Sequence, residues 1–134
     1  MLGALPQLHC QDRVVAVLAS PAAEVRQAAT QLVVKCRIRE AYATLAAMLQ
    51  SDPDPMVRAV TVDAVARLGR REAIPLLIEA LDDPGVTQTS PVVPVRSAVQ
   101  FWLPALTGKT FATKAEWERW WQEEQARRRQ GVER

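Results

Sequence analysis

Asp52-Pro53-Asp54-Pro55-Met56-Val57-Arg58, followed by Leu68-Gly69 and then by Ala73-Ile74-Pro75-Leu76-Leu77, is the stretch that decides how this chain folds. Asp54 offers a side-chain oxygen to the free N–H groups of a helix start, and Pro55 suits the first turn, where its missing N–H costs nothing. Gly69 suits the left-handed residue that ends such a helix. A second helix, roughly Arg71 to Leu81, carries Ile74, Leu77, Ile78 and Leu81 at three- and four-residue spacing, which puts them on one face. Asp52 to Asp83 is thus one complete helix–turn–helix unit.

Outward from this unit the sequence repeats itself. Ser20-Pro21…Val25-Arg26 precedes Asp52-Pro53…Val57-Arg58 by 32 residues, and at the same offset Glu40, Ala41, Leu45 and Leu49 match Glu72, Ala73, Leu77 and Leu81. A third copy, Ser90-Pro91…Val95-Arg96, follows at an offset of 38, and the added length falls in the connection Asp82 to Ser90. One helix pair per period is the pattern of stacked helical repeats, in which each pair buries its apolar face only against a neighbour. The first copy reads as a helix opened by Ser20 and Pro21 and running to about Cys36, with Val25, Ala28, Ala29, Leu32, Val33 and Cys36 inward. A further helix from about Arg39 to Gln50 turns Ala41, Leu45, Met48 and Leu49 to the core. Before them Gln11 to Ala19 reads as a short helix. Leu2, Leu5 and Leu8 are spaced for a turn of helix over the first layer.

These residues resemble the HEAT repeats, and among them the short repeats of the phycobilisome-lyase type. In that family an Asp-Pro-x-x-x-Val-Arg start, a small-residue helix ending in Leu-Gly, and an Ala-Ile-Pro-x-Leu second helix recur. The central repeat has all three, whereas the first has Cys36-Arg37 for Leu-Gly and Tyr42-Ala43 for Ile-Pro. The third keeps Val95-Arg96 but places Pro104 inside its helix, where a kinked or shortened helix is expected. The resemblance covers roughly residues 11 to 108. It implies an all-α, right-handed solenoid of about three helix pairs. Leu106-Thr107-Gly108, Phe111 and Thr113-Lys114-Ala115-Glu116 then lead through a capping box into a last helix, which resembles the closing segment of some bacterial HEAT-like proteins. The expected organisation is one domain over residues 1–126, with repeats at about 11–50, 52–83 and 90–126, and a frayed basic tail over 127–134.

Composition narrows the function classes. With 17 basic and 15 acidic residues, the net charge of +2 calls for no polyanionic partner unless the charges cluster. Two cysteines, Cys10 and Cys36, are too few for a disulfide scaffold, fit a reducing compartment, and read as buried structural thiols. No apolar run approaches the roughly 20 residues of a membrane span, and the N-terminus lacks the pattern of a signal peptide, so cytoplasm is expected and no membrane contact. His9 stands beside Cys10 with no third ligand or base nearby, and the chain contains no Gly-rich phosphate loop, HExxH or Gly-x-Ser-x-Gly. No enzyme, metal or cofactor is expected.

Three groups of residues remain as candidates. Trp117, Trp120 and Trp121 share one face of the last helix; with Trp102 they read as a C-terminal cap over the final repeat, against the alternative of an aromatic platform for a ligand. Arg26, Arg58 and Arg96 occupy one repeat position and read as a structural ladder bridging to acceptors such as Asp52 or Asp54. Lys35, Arg37 and Arg39, then Arg67, Arg70 and Arg71, and finally Lys109 recur on the turn edge as a basic ridge. Such a ridge is either a solvated edge favoured by the helix dipoles or a contact for an anionic partner. The expected function is a non-enzymatic protein–protein adaptor with an unidentified protein partner. The alternative is nucleic-acid binding through the ridge, because some HEAT-like DNA glycosylases cradle DNA with basic and aromatic residues, although none of their catalytic residues matches here. A third class, accessory to a chromophore or cofactor lyase, is implied only by the repeat family's name.

Overall fold

The computed structural model describes residues 13–87 and 93–133. After a helical turn at residues 13–17, the helices are α1 (Ala23–Cys36), α2 (Tyr42–Ser51), α3 (Pro55–Gly69), α4 (Ile74–Glu79), α5 (Val95–Thr107) and α6 (Lys114–Glu133). Helices α1, α3 and α5 lie side by side in one layer. In the other layer α2 packs against α3, α4 against α5, and α6 closes over α4. The described part of the chain is therefore an all-α, solenoid-like stack, with Val33, Leu45, Val57, Val65, Ile74, Leu77, Val99 and Leu103 buried between the layers.

Helix starts show why the copies differ. Asp54 Oδ1 accepts from the backbone N–H of Met56 and Val57 at 2.8 and 3.2 Å, so α3 has the side-chain cap its sequence promised. Ser20 does not cap α1. Its Oγ accepts from the N–H of Ala22 at 3.2 Å, and Ala22, which occupies the cap position, has no side-chain oxygen. Asp52 forms the matching turn in the second copy by accepting from Asp54 N at 2.9 Å, and only there is the next polar residue correctly placed.

Helix ends hold a second correction. Gly69 is not left-handed; it is helical at φ −89°, and Arg70 takes the positive value, φ 47°. Glycine is needed at 69 for space, because a Cβ there would lie 2.5 Å from both Cε1 and Oη of Tyr42. The Tyr42 hydroxyl is buried against this glycine with no hydrogen-bond partner among the described residues, and burial pushes its pKa up. In the first copy Arg37 has φ 53° and closes α1, the place where glycine would ordinarily stand. The second helix expected from Arg71 to Leu81 is α-helical only over α4, with 3₁₀ turns at Arg70–Ala73 and Ala80–Asp82 on either side.

The inward face expected for α1 is also revised. Ala29 and Val33 are buried, but Val25 and Leu32 are 42% and 40% exposed, and Ala28 and Cys36 are exposed as well. Their equivalents one repeat on, Val57 and Ala64, are fully buried. The second copy has α1 packed beside it, whereas the described residues ahead of α1 form only the short helical turn at 13–17. Cys36 is accordingly a free, exposed thiol and not a core residue. Cys10 and His9 lie outside the described residues.

At the far end, α5 continues through Pro104 to Thr107 and stops at the left-handed Gly108. The carbonyl that Pro104 leaves without a donor belongs to Gln100, an exposed residue, so solvent can satisfy it. Thr113 Oγ1 accepts from Glu116 N at 3.2 Å, opening α6. Trp117 is buried and meets Phe111 nearly edge-on at 4.8 Å, while Trp102, Trp120 and Trp121 are half-buried. The tail expected to fray after residue 126 continues α6 to Glu133, with Arg127 and Arg128 paired to Glu124. Among the described residues no helix is long and apolar enough to cross a membrane, and no group of three His, Cys, Asp or Glu side chains could hold a metal.

Candidate functional site

Alternating helices give the stack two turn edges, and each carries arginines. At the edge where α1 and α3 begin, Arg26 donates from Nε and Nη2 to the two oxygens of Asp52 at 2.8 and 3.0 Å, and from Nη1 to the Ser20 carbonyl at 2.9 Å. Arg58 makes the same three contacts one repeat later, to Asp83 at 2.8 and 3.1 Å and to the Asp52 carbonyl at 2.6 Å. The paired side chains are nearly buried, and a planar fork on a carboxylate is the strongest geometry such a pair can adopt.

The second rung also requires Gly85. A Cβ there would lie 2.2 Å from Arg58 Nη2, and the Gly85 N–H donates to Asp83 Oδ1 at 2.7 Å. Burial by itself would raise the Asp83 pKa. The hydrogen bonds from Arg58 and Gly85, with the Arg58 charge, outweigh that and hold it below its ordinary value. Hydrogen bonding to Asp52 likewise raises the Arg26 pKa. Arg96, the third ladder residue expected from the repeat, is exposed and has no hydrogen bond or ion pair among the described residues. Each rung's acid follows its arginine by 26 or 25 residues, and at that distance from Arg96 stand Gln122 and Trp121.

The opposite edge is different. Arg37, Arg39, Arg67 and Arg70 line one cavity of about 300 Å³, completed by Val34, Leu68 and the indole of Trp102. Among the described residues no carboxylate lines it. Arg37 and Arg70 are the two non-glycine residues with positive φ among those described, so the tight turns that end α1 and α3 themselves supply two walls. Arg39 Nη1 donates to the Leu68 carbonyl at 3.3 Å and ties the first turn to the second. Arg67 lies 5.2 Å from the centre of the Trp102 ring and pairs with Asp63 at 3.0 Å in an exposed contact.

Four of the seven ridge residues therefore meet at one place. Arg71 turns away to α6, where it stacks on Trp121 at 5.4 Å and pairs with Glu124 at 3.4 Å. Lys35 and Lys109 are exposed and line no part of the pocket. The sequence pattern groups Trp102 with the C-terminal cap and does not show it as a wall of this cavity. The available signal was the repeat offset, which sets Trp102 at the position held by Ala64 in the preceding copy, where a large side chain has to reach outward.

A larger cavity, about 420 Å³, lies at the ladder edge between Leu49, Leu76 and Pro84, but its charged walls are already engaged. There Arg58 is held by Asp83, Glu79 accepts from Gln50, and Asp82 pairs with Lys114. The arginine pocket contains no group able to act as a nucleophile or a proton acceptor near neutral pH. What it offers is four exposed guanidinium groups, two of them held by the Leu68 carbonyl and Asp63, beside an aromatic wall.

Comparison with known proteins adds one match. Residues 12–90, more than half of the chain, match the HEAT repeats family. No curated protein and no solved structure matches the chain.

Proposed function

The chain belongs to the HEAT-repeat family, whose members are commonly protein-interaction scaffolds and generally not enzymes, and from that premise we propose that it is a non-enzymatic adaptor that holds a protein partner by an acidic segment docked on its arginine-lined turn edge. The observation that carries this reading is the pocket formed by Arg37, Arg39, Arg67 and Arg70, into which no carboxylate of the described residues projects. Four cations brought together with the single counter-charge of Asp63 repel one another, and an acidic partner relieves that repulsion while gaining forked hydrogen bonds.

The nucleic-acid reading has weaker support. A strand or duplex presents phosphates in a row, and the ridge does not continue as one. Arg71 is engaged by Glu124, Arg67 carries Asp63, and Lys35 and Lys109 stand apart from the pocket. A cofactor-lyase accessory role has no residue of the pocket to recommend it.

The test is affinity capture with the intact chain and with an Arg37→Glu/Arg70→Glu variant side by side, each with and without nuclease. At least one protein should be recovered by the wild type and lost by the variant, with recovery that falls as salt is raised. An identical set of proteins from both baits would remove the pocket from recognition. Recovery abolished by nuclease would transfer the site to nucleic acid.

A further inference from the structure

The make-up of the pocket selects among anions. We propose that it binds a phosphate monoester carried on a side chain of the partner protein, with Arg37, Arg39 and Arg70 on the phosphate oxygens and Trp102 beside the carbons that bear it; this rests on the adaptor reading above and names what the acidic segment presents.

Charge comes first. Of the four guanidinium groups, only Arg67 has an acidic partner, Asp63. Arg39 is bound to the neutral Leu68 carbonyl, and Arg37 and Arg70 have no ion pair among the described residues. Three positive charges are left to be met. A carboxylate supplies a single negative charge and is satisfied by one fork. A phosphate monoester carries between one and two negative charges near neutral pH and three terminal oxygens, each able to accept from a different guanidinium.

Shape comes second. Val34, Leu68 and Trp102 form an apolar side to the pocket, so a ligand that joins a charged head to a carbon chain covers both kinds of wall, and a bare inorganic ion covers only one. Backbone comes third. Arg37 and Arg70 sit at positive φ, where asparagine or glycine would be the relaxed choices, and strain of this kind concentrates where side chains are held for binding.

The experiment is an NMR titration of the intact chain, following the Trp102 indole N–H and the arginine Nε–H signals. The probes are an end-blocked alanine pentapeptide with one central phosphoserine, the same peptide with glutamate in its place, inorganic phosphate, and a short single-stranded DNA. The phosphopeptide should shift these signals saturably and bind roughly tenfold more tightly than the glutamate peptide. Its affinity should fall between about pH 7.5 and pH 5, as the phosphate takes up its second proton near pH 6. An Arg37→Asn/Arg70→Gly variant, which removes two charges while suiting the positive-φ backbone, should keep its circular dichroism spectrum and lose the shifts.

Equal binding of both peptides would overturn the monoester and leave the adaptor reading intact. Inorganic phosphate binding as tightly as the phosphopeptide would overturn the assignment to a partner's side chain. DNA binding tighter than either, with a steep salt dependence, would overturn both readings, and the absence of any saturable shift would overturn this one.

Discussion

The two turn edges use the same residue for opposite ends. At the edge where α1 and α3 begin, Arg26 and Arg58 are folded inward, each gripping an aspartate of the following turn and a carbonyl just ahead of its own helix. At the edge where those helices end, Arg37, Arg39, Arg67 and Arg70 surround an open cavity with one exposed carboxylate among them as partner. Residue type is alike at both edges, although the four pocket arginines do not keep the 32-residue offset that relates Arg26 to Arg58. The difference lies in the companions: aspartates at positions 52 and 83 neutralise one set, and no acid occupies the corresponding place in the other. An arginine at a repeat position is structural where the next turn supplies its carboxylate, and a contact for others where it does not.

The contrast can be broken by substitution. The largest effect is expected from Arg58→Ala, which strands the nearly buried Asp83 carboxylate and should cost about 3–5 kcal/mol in denaturant unfolding. Gly85→Ala should come next, at about 1–3 kcal/mol, because the added methyl occupies the site of the Arg58 guanidinium; in an Arg58→Ala background most of that cost should vanish. Smaller again is an effect of pH. Asp83 has a folded pKa below its unfolded value, so its contribution is complete above the ordinary carboxylate range and disappears as pH falls through the depressed value. Melting temperatures of the wild type should therefore drop below about pH 4, and Asp83→Asn, less stable at pH 7, should show a shallower acid limb.

At the other extreme, Arg96→Ala should change stability by no more than about 0.5 kcal/mol, since that arginine is exposed and makes no hydrogen bond or ion pair among the described residues. The Arg37→Asn/Arg70→Gly variant should be neutral or more stable by about 1 kcal/mol, since both positions have positive φ. A loss comparable with Arg58→Ala would mean that the two edges are not different in kind.

Much of this architecture was legible beforehand. The repeated Pro…Val-Arg pattern and the apolar spacing placed the helices, and Asp54 gave the start of α3 correctly. What escaped had physical causes that a local pattern does not carry. Ser20 resembled a cap because its type is right, but its distance from the helix is two residues too long. Gly69 resembled a left-handed terminator, yet it is small because Tyr42, 27 residues earlier, lies across it. Val25 and Leu32 resembled core because the periodicity of one helix cannot tell whether a second helix flanks it. At the ridge, spacing brought the right residue types to one edge. It did not separate Arg70, which lines the pocket, from Arg71, which the long last helix draws off to Trp121 and Glu124.

The connection between the second and third pairs is pinned at its base. Val95 N donates to the Gly85 carbonyl at 2.9 Å, Thr87 N to the Val93 carbonyl at 2.8 Å, and Val86 bridges Pro94. The Asp83–Arg58 rung is completed just before this clasp, and α5 starts just after it. The clasp fixes the two ends of the connection relative to one another, in the way a stitched buttonhole holds the edges of a cut. A tag or a recognition peptide spliced between residues 88 and 92 is expected to leave the bonds of the clasp, and so the melting temperature, unchanged.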